Sequence, residues 1–245
     1  MTIPARRGRA PAVSDADIRR VARTLLVDQG PEAVTLRAIA RELGITAPAL
    51  YRYYASRDDL LATLRADVRA DLAVDLTAAH DDAPDNAAAR FFAVCRGFRH
   101  WALTHSREFT LVFASPAGRG NPSVMRQFGE PVGRLFLTAA GRLLTEYEIV
   151  SPPMEFIRDG LREDLTVFQT ELLRVLSDSG VKFPAEKLDL GISYVMIQSW
   201  ARMYGHVTLE AFGNYPLTVT DPDVLFDATL AEIGESIGLG AKDFR

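Results

Sequence analysis

LRAIARELGITAPALYRYYASRDDLL, residues 36–61, decides the fold. Leu36, Ile39, Ala40 and Leu43 recur at the three- and four-residue steps that put side chains on one face of an α-helix. Gly44 follows where a helix C-terminus favours a left-handed residue. Two positions later Thr46 is placed to cap another helix, with Pro48 tolerated in its first turn and Leu50 as its inward anchor. So short a turn cannot lay two helices antiparallel, so they cross steeply. That is the outline of a helix-turn-helix; an ordinary corner of a helical bundle is the competing reading of the same spacing.

The residues that follow favour the first reading. Tyr51, Tyr53 and Tyr54 stand beside Arg52 and Arg57. A buried helix excludes the arginines, and a merely solvated one has no use for three tyrosines. Nucleic acid backbone rewards both types. With helix 47–54 in a major groove, Thr46, Ala47 and Pro48 allow close approach, offering a hydroxyl hydrogen bond and apolar contact with a thymine methyl. Tyr51 and Tyr53 are then expected to donate to phosphates. Arg57 is expected to pair with a phosphate beside the free N–H groups of the next helix, and Arg37 to do the same or reach a base. Tyr54, four residues after Leu50, is expected to pack inward.

Outward from this stretch the pattern stays helical, with almost no period-2 alternation, no repeat and no low-complexity run. Before it, Ser14 and Asp17 form a weak capping box ahead of the stripe Ile18, Val21, Ala22, Leu25 and Leu26, which Gly30-Pro31 stops. After it, Ser56 and Asp59 open a helix through Leu60, Leu61, Leu64 and Val68 to about residue 79. HDDAPDN (80–86) is the strongest polar break of the first half and a candidate domain boundary. Later helices are predicted near 87–105, 106–114, 122–146, 153–179, 185–208 and 222–238. The fold class is therefore all-α. A three-helix DNA-binding unit with a basic arm is expected over residues 1–65, and a larger helical bundle over 66–245.

Charge agrees with this division. Residues 1–65 carry 11 arginines and 7 acids, whereas the remaining 180 carry 17 basic and 25 acidic residues. A basic front on an acidic body suggests a polyanionic partner at the front. Arg6, Arg7 and Arg9 precede the first acid, and a minor-groove arm or a solvated tail would each account for them. The single cysteine, Cys95, excludes an internal disulfide framework and suits a reducing cytosol. No apolar run is long enough for a membrane span, and the basic start lacks the apolar stretch of a secretory signal.

The segment TLRAIARELGITAPALYRYYASRDDLL (35–61) resembles the DNA-binding segment of the TetR family of bacterial transcriptional regulators. The family pattern Leu-Tyr-x-His-Phe-x-x-Lys-x-x-Leu reads here from Leu50 to Leu60, with Tyr53, Tyr54 and Arg57 replacing the His, Phe and Lys. Each replacement keeps the property used above: phosphate donor, core aromatic, cation. WARMYGHVTLEAFG (200–213) is similar to the C-terminal signature of one subgroup, Trp-x-x-x-His-Gly, with Tyr204 at the His position. The resemblance implies a cytoplasmic homodimer that binds palindromic double-stranded operator DNA, usually as a repressor released by a small ligand.

The body should then hold a two-fold interface and a pocket. The helix near 190–212 is apolar nearly all round, so one side can meet the core and the other a partner, with 222–238 completing a bundle across the axis. An aromatic-rich bundle favours a small hydrophobic or planar effector, and Trp101, Phe128, Phe168 and Trp200 are the candidate ligand-binding residues. Cys95, His100 and His105 lie five apart, a spacing that points them to different faces, so no metal site is expected. No cofactor is implied. No catalytic motif is present, and an enzyme is not expected. The alternatives weighed are a helical small-molecule-binding protein without DNA recognition and an enzyme acting on an apolar substrate.

Overall fold

The computed structural model describes residues 13–114 and 130–240. Among them are ten α-helices and no strand. The arginine-rich arm and Phe128 lie outside the described residues.

The first three helices are α1 (Asp15–Gln29), α2 (Leu36–Glu42) and α3 (Ala47–Leu50). They pack with the start of α4 (Arg57–Asp82) around Ile18, Leu26, Ile39, Leu50, Leu60 and Leu64. Local chemistry sets their starts. The Ser14 hydroxyl accepts from the Asp17 amide while Asp17 accepts from Ser14, a complete capping box. Thr35 caps Ala38, and Ser56 caps Asp59. Gly44 takes φ +66°, the left-handed turn that separates α2 from α3. Tyr54 is buried, and its hydroxyl donates to Asp15.

The body contains α5 (Ala87–Thr104), α6 (Ser106–Phe109) running into a π-helical turn at Thr110–Ala114, α7 (Pro131–Glu146), α8 (Asp159–Asp178), α9 (Leu190–Ala211) and α10 (Pro222–Ser236). One apolar cluster joins α4, α5, α7, α9 and α10; a second joins α7, α8 and α9. Gly141 lets α7 approach α8, since a Cβ there would lie 2.1 Å from Leu176.

Several predicted boundaries move. The helix expected from 153 begins at Asp159, after a 3₁₀ turn at Met154–Phe156 that follows Pro152-Pro153. The helix expected from 185 begins at Leu190, where Asp189 caps Ile192. The break at 80–86 ends α4 without separating two cores. Leu72 and Leu76 before it share one cluster with Ala87, Ala88 and Phe92 after it. The change of core falls inside α4, between Leu64 and Val68.

Candidate nucleic-acid interface and interior cavity

The small N-terminal residues of α3 form an open surface. Thr46, Pro48, Tyr51, Arg52 and Tyr53 are exposed, as are Arg37 and Arg41 on α2, while Ala47 is half-buried against the head core. Thr46 precedes α3, yet its side chain makes no capping bond, in contrast to Ser14, Thr35 and Ser56. The expected cap is absent, and the hydroxyl is on the exposed side of the turn. Tyr51 is 58% exposed at the end of the helix. The segment after Leu50 is a turn, so the helix predicted to residue 54 is a single turn, closed by the Tyr54 amide on the Leu50 carbonyl.

Two candidate phosphate donors are engaged within the protein, Tyr53 with its one hydroxyl proton and Arg57 with part of its guanidinium. The Tyr53 hydroxyl donates to the Val13 carbonyl at 2.7 Å. Arg57 is half-buried, with Nε on the Val34 carbonyl at 2.7 Å and Nη2 on the Pro31 carbonyl at 2.6 Å. Arg57 thus ties the start of α4 to the link between α1 and α2. These partners are 40 and 23 residues distant, beyond any local sequence signal. Arg41 and Arg52 are further exposed cations of this region outside the sequence candidates, and Arg52 stands inside the Tyr51–Arg57 stretch.

Head and body are joined through α4 and α6. Arg19 pairs with Asp67 through two bonds of 2.8 and 3.0 Å. Arg23 Nε donates to Glu108 at 2.5 Å and its Nη1 pairs with Asp71. Leu111 of the π-turn enters the head core, and its carbonyl accepts from Arg65 Nε at 3.1 Å.

The body contains a partly open cavity of about 520 Å³, within the range typical of small-molecule sites. Phe91, Phe136, Phe168, Val195, Trp200 and Met203 form much of its wall. Two of the four candidate ligand residues, Phe168 and Trp200, are on it. Trp101 is not; it is buried in the main core, stacked on His105 at 5.1 Å. The reason is helical phase: Phe91 and Cys95 are four apart and share a face of α5, whereas Trp101 is rotated from Cys95 by about 120°. Trp200 packs edge-on to Phe136 at 5.1 Å and stacks on Tyr204 at 5.8 Å, and the Tyr204 hydroxyl donates to the Phe113 carbonyl in the π-turn. Burial pushes the Cys95 thiol up to about 12, so it stays a neutral wall group. Among the described residues no cluster of His, Cys, Asp or Glu is arranged to hold a metal ion.

Comparison with known proteins decides the family. Residues 18–64 match the model of bacterial regulatory proteins of the TetR family, and residues 91–233 match that of the tetracyclin repressor-like C-terminal domain. The chain is also 30% identical, over 224 residues, to HTH-type transcriptional regulator Rv1816 of Mycobacterium tuberculosis, covering 87% of this chain and 88% of that one. The chain belongs to the TetR family. This TetR-family protein is accordingly a DNA-binding transcriptional regulator and not an enzyme. An equal match is to HTH-type transcriptional regulator Mb1846 of Mycobacterium bovis, at 30% identity and the same coverage. Its fold is similar to the crystal structure of regulatory protein SCO4313, with a TM-score of 0.61 at 22% identity over 89% of this chain and 93% of that one. Among the described residues of this TetR-family chain, no helix is long and apolar enough to cross a membrane.

Proposed function

We propose that this regulator is a cytoplasmic repressor that binds palindromic operator DNA as a homodimer and releases it when a small hydrophobic or aromatic effector enters the cavity. The observation that carries the reading is that one helix serves both ends. α4 starts against the DNA-facing head at Arg57, and Arg69, farther along it, lines the cavity. A ligand that prefers one position of α4 therefore prefers one position of the head. The head is taken as the residues up to about 65, the body as the rest.

A single head offers few base contacts, so two copies spaced about one helical turn apart, roughly 34–36 Å, are required for affinity and specificity. The surface that supports pairing is the outer face of α9 with α10. Leu209 and Leu225 are exposed there, at 41% and 39%. Gly205 on α9 has open space where a Cβ would stand, which suits a close helix crossing. On the DNA side, Tyr51, Arg37, Arg41 and Arg52 are read as phosphate donors and Thr46 with Pro48 as the base-facing residues. Arg57 contributes with the guanidinium N–H groups left over from its internal bonds, whereas Tyr53 has a single hydroxyl proton and must leave the Val13 carbonyl to donate to a phosphate.

The test is binding of the full chain to duplexes from its own promoter region across a salt series. Neutralised phosphates release counterions, so affinity should fall steeply and linearly on a log–log plot. A flat salt response, or a chain that stays monomeric at micromolar concentration, would refute the reading.

A further inference from the structure

The cavity is mostly apolar, with Ser199 and three charged side chains, Arg69, Glu130 and Asp164, on its lining. They are not equivalent. Asp164 is exposed on α8, near the exposed Val167, where water hydrates its charge. Glu130 immediately precedes Pro131 at the start of α7, where the helix dipole stabilises a negative charge. Arg69 is half-buried and has neither an ion-pair nor a hydrogen-bond partner among the described residues. A cation withdrawn from water is normally paired, because desolvation without a counter-charge is costly.

Arg65, one turn earlier on α4, is pushed below the ordinary arginine range first by burial and next by the charge of Arg69. An anion at Arg69 would offset the charge that Arg65 feels from it. The guanidinium fork matches a carboxylate in plane and spacing, and the apolar wall from Phe91 to Phe168 and Trp200 accepts a hydrocarbon body.

We propose that the effector is an anionic amphiphile whose carboxylate pairs with Arg69 while its apolar body fills the cavity between α5, α7, α8 and α9. This rests on the cavity being the effector site. The carboxylate would then act on α4 itself, three helical turns from Arg57, so ligand charge and head position are set on one rigid element.

The experiment uses the full chain with bound Nile red, displaced by dodecanoate, dodecanol and dodecylamine below their micellar concentrations. Dodecanoate should bind at least about tenfold more tightly than dodecanol, the value of one charge-assisted contact. Arg69→Met should collapse that ratio to near unity, and Arg69→Lys, which keeps the charge without the fork, should retain part of it. Equal binding of dodecanoate and dodecanol by the native chain overturns the Arg69 assignment and leaves the cavity reading standing. Tightest binding by dodecylamine, lost in Asp164→Asn, overturns it in favour of a cationic ligand. If Nile red and all three chains fail to bind, the cavity reading falls, and the inference with it.

Discussion

Replacing Arg23 with methionine tests the joint between head and body. Its two carboxylate partners differ in kind. Asp71 is about half exposed, and such a pair contributes at most about 1 kcal/mol. Glu108 is 3% exposed, and Arg23 is its ion-pair partner at 2.5 Å. Methionine keeps much of the side-chain volume but leaves that carboxylate buried without a counter-charge, a change that costs about 3–5 kcal/mol. Because the Arg23 side chain is 35% exposed, water softens the pair and the lower end, about 3 kcal/mol, applies. For a chain of this length each kcal/mol moves the melting midpoint by about 2–4 °C, so Arg23→Met should melt roughly 6–12 °C lower. Midpoints are compared by circular dichroism at one protomer concentration, since dimerisation shifts them. The double variant Arg23→Met with Glu108→Gln removes the buried charge and should recover most of the loss, a coupling of about 2 kcal/mol or more. A single variant that melts within about 2 °C of the parent, or a double variant no better than the single, would refute the argument.

Other outcomes follow from the same geometry. Tyr51→Phe should weaken binding to operator and scrambled duplexes alike by about fivefold, while Thr46→Ala should change the preference between them; fluorescence anisotropy distinguishes the two. Arg57→Ala should lower head stability by about 1–3 kcal/mol in urea denaturation, because the Val34 carbonyl loses its Arg57 donor and the Pro31 carbonyl one of its two, and unchanged stability would remove its bracing role. His206 is buried between the hydroxyls of Tyr215 and Thr229, and burial foremost lowers its pKa, the Arg99 charge adding to this and Glu210 opposing it. A depressed folded pKa means that its stabilisation is complete above the unfolded value near 6.5 and is lost as pH falls towards the folded value. Melting midpoints from pH 7.5 to 5 should therefore fall less steeply in His206→Gln than in the parent.

The legibility of this chain divides by sequence distance. Ser14, Thr35 and Ser56 cap amides three residues away, and Gly44 needs only its own backbone freedom, so the helix-turn-helix could be read directly. Tyr54 was legible for the same reason: its anchor Leu50 is one turn earlier. Thr46 shows the limit, since a cap residue in the right place leaves its side chain unused. Trp101 shows another. Composition marks it as a large aromatic group of the body, but only the packing of α5 decides which face meets the cavity and which the core.

Periodicity and capping, which act within a turn or two of helix, determined from the sequence alone that this chain is helical and carries a helix-turn-helix outline near its start, and the resemblance of residues 35–61 to the TetR pattern added the family. Tertiary structure decided what depends on distant partners. It tied Arg57 and Tyr53 to backbone carbonyls, set Leu111 into the head core, sealed Glu108 against Arg23, and left Arg69 at an apolar cavity with no described partner. Burial and pairing are properties of juxtaposed surfaces, and no local pattern records which surfaces will meet.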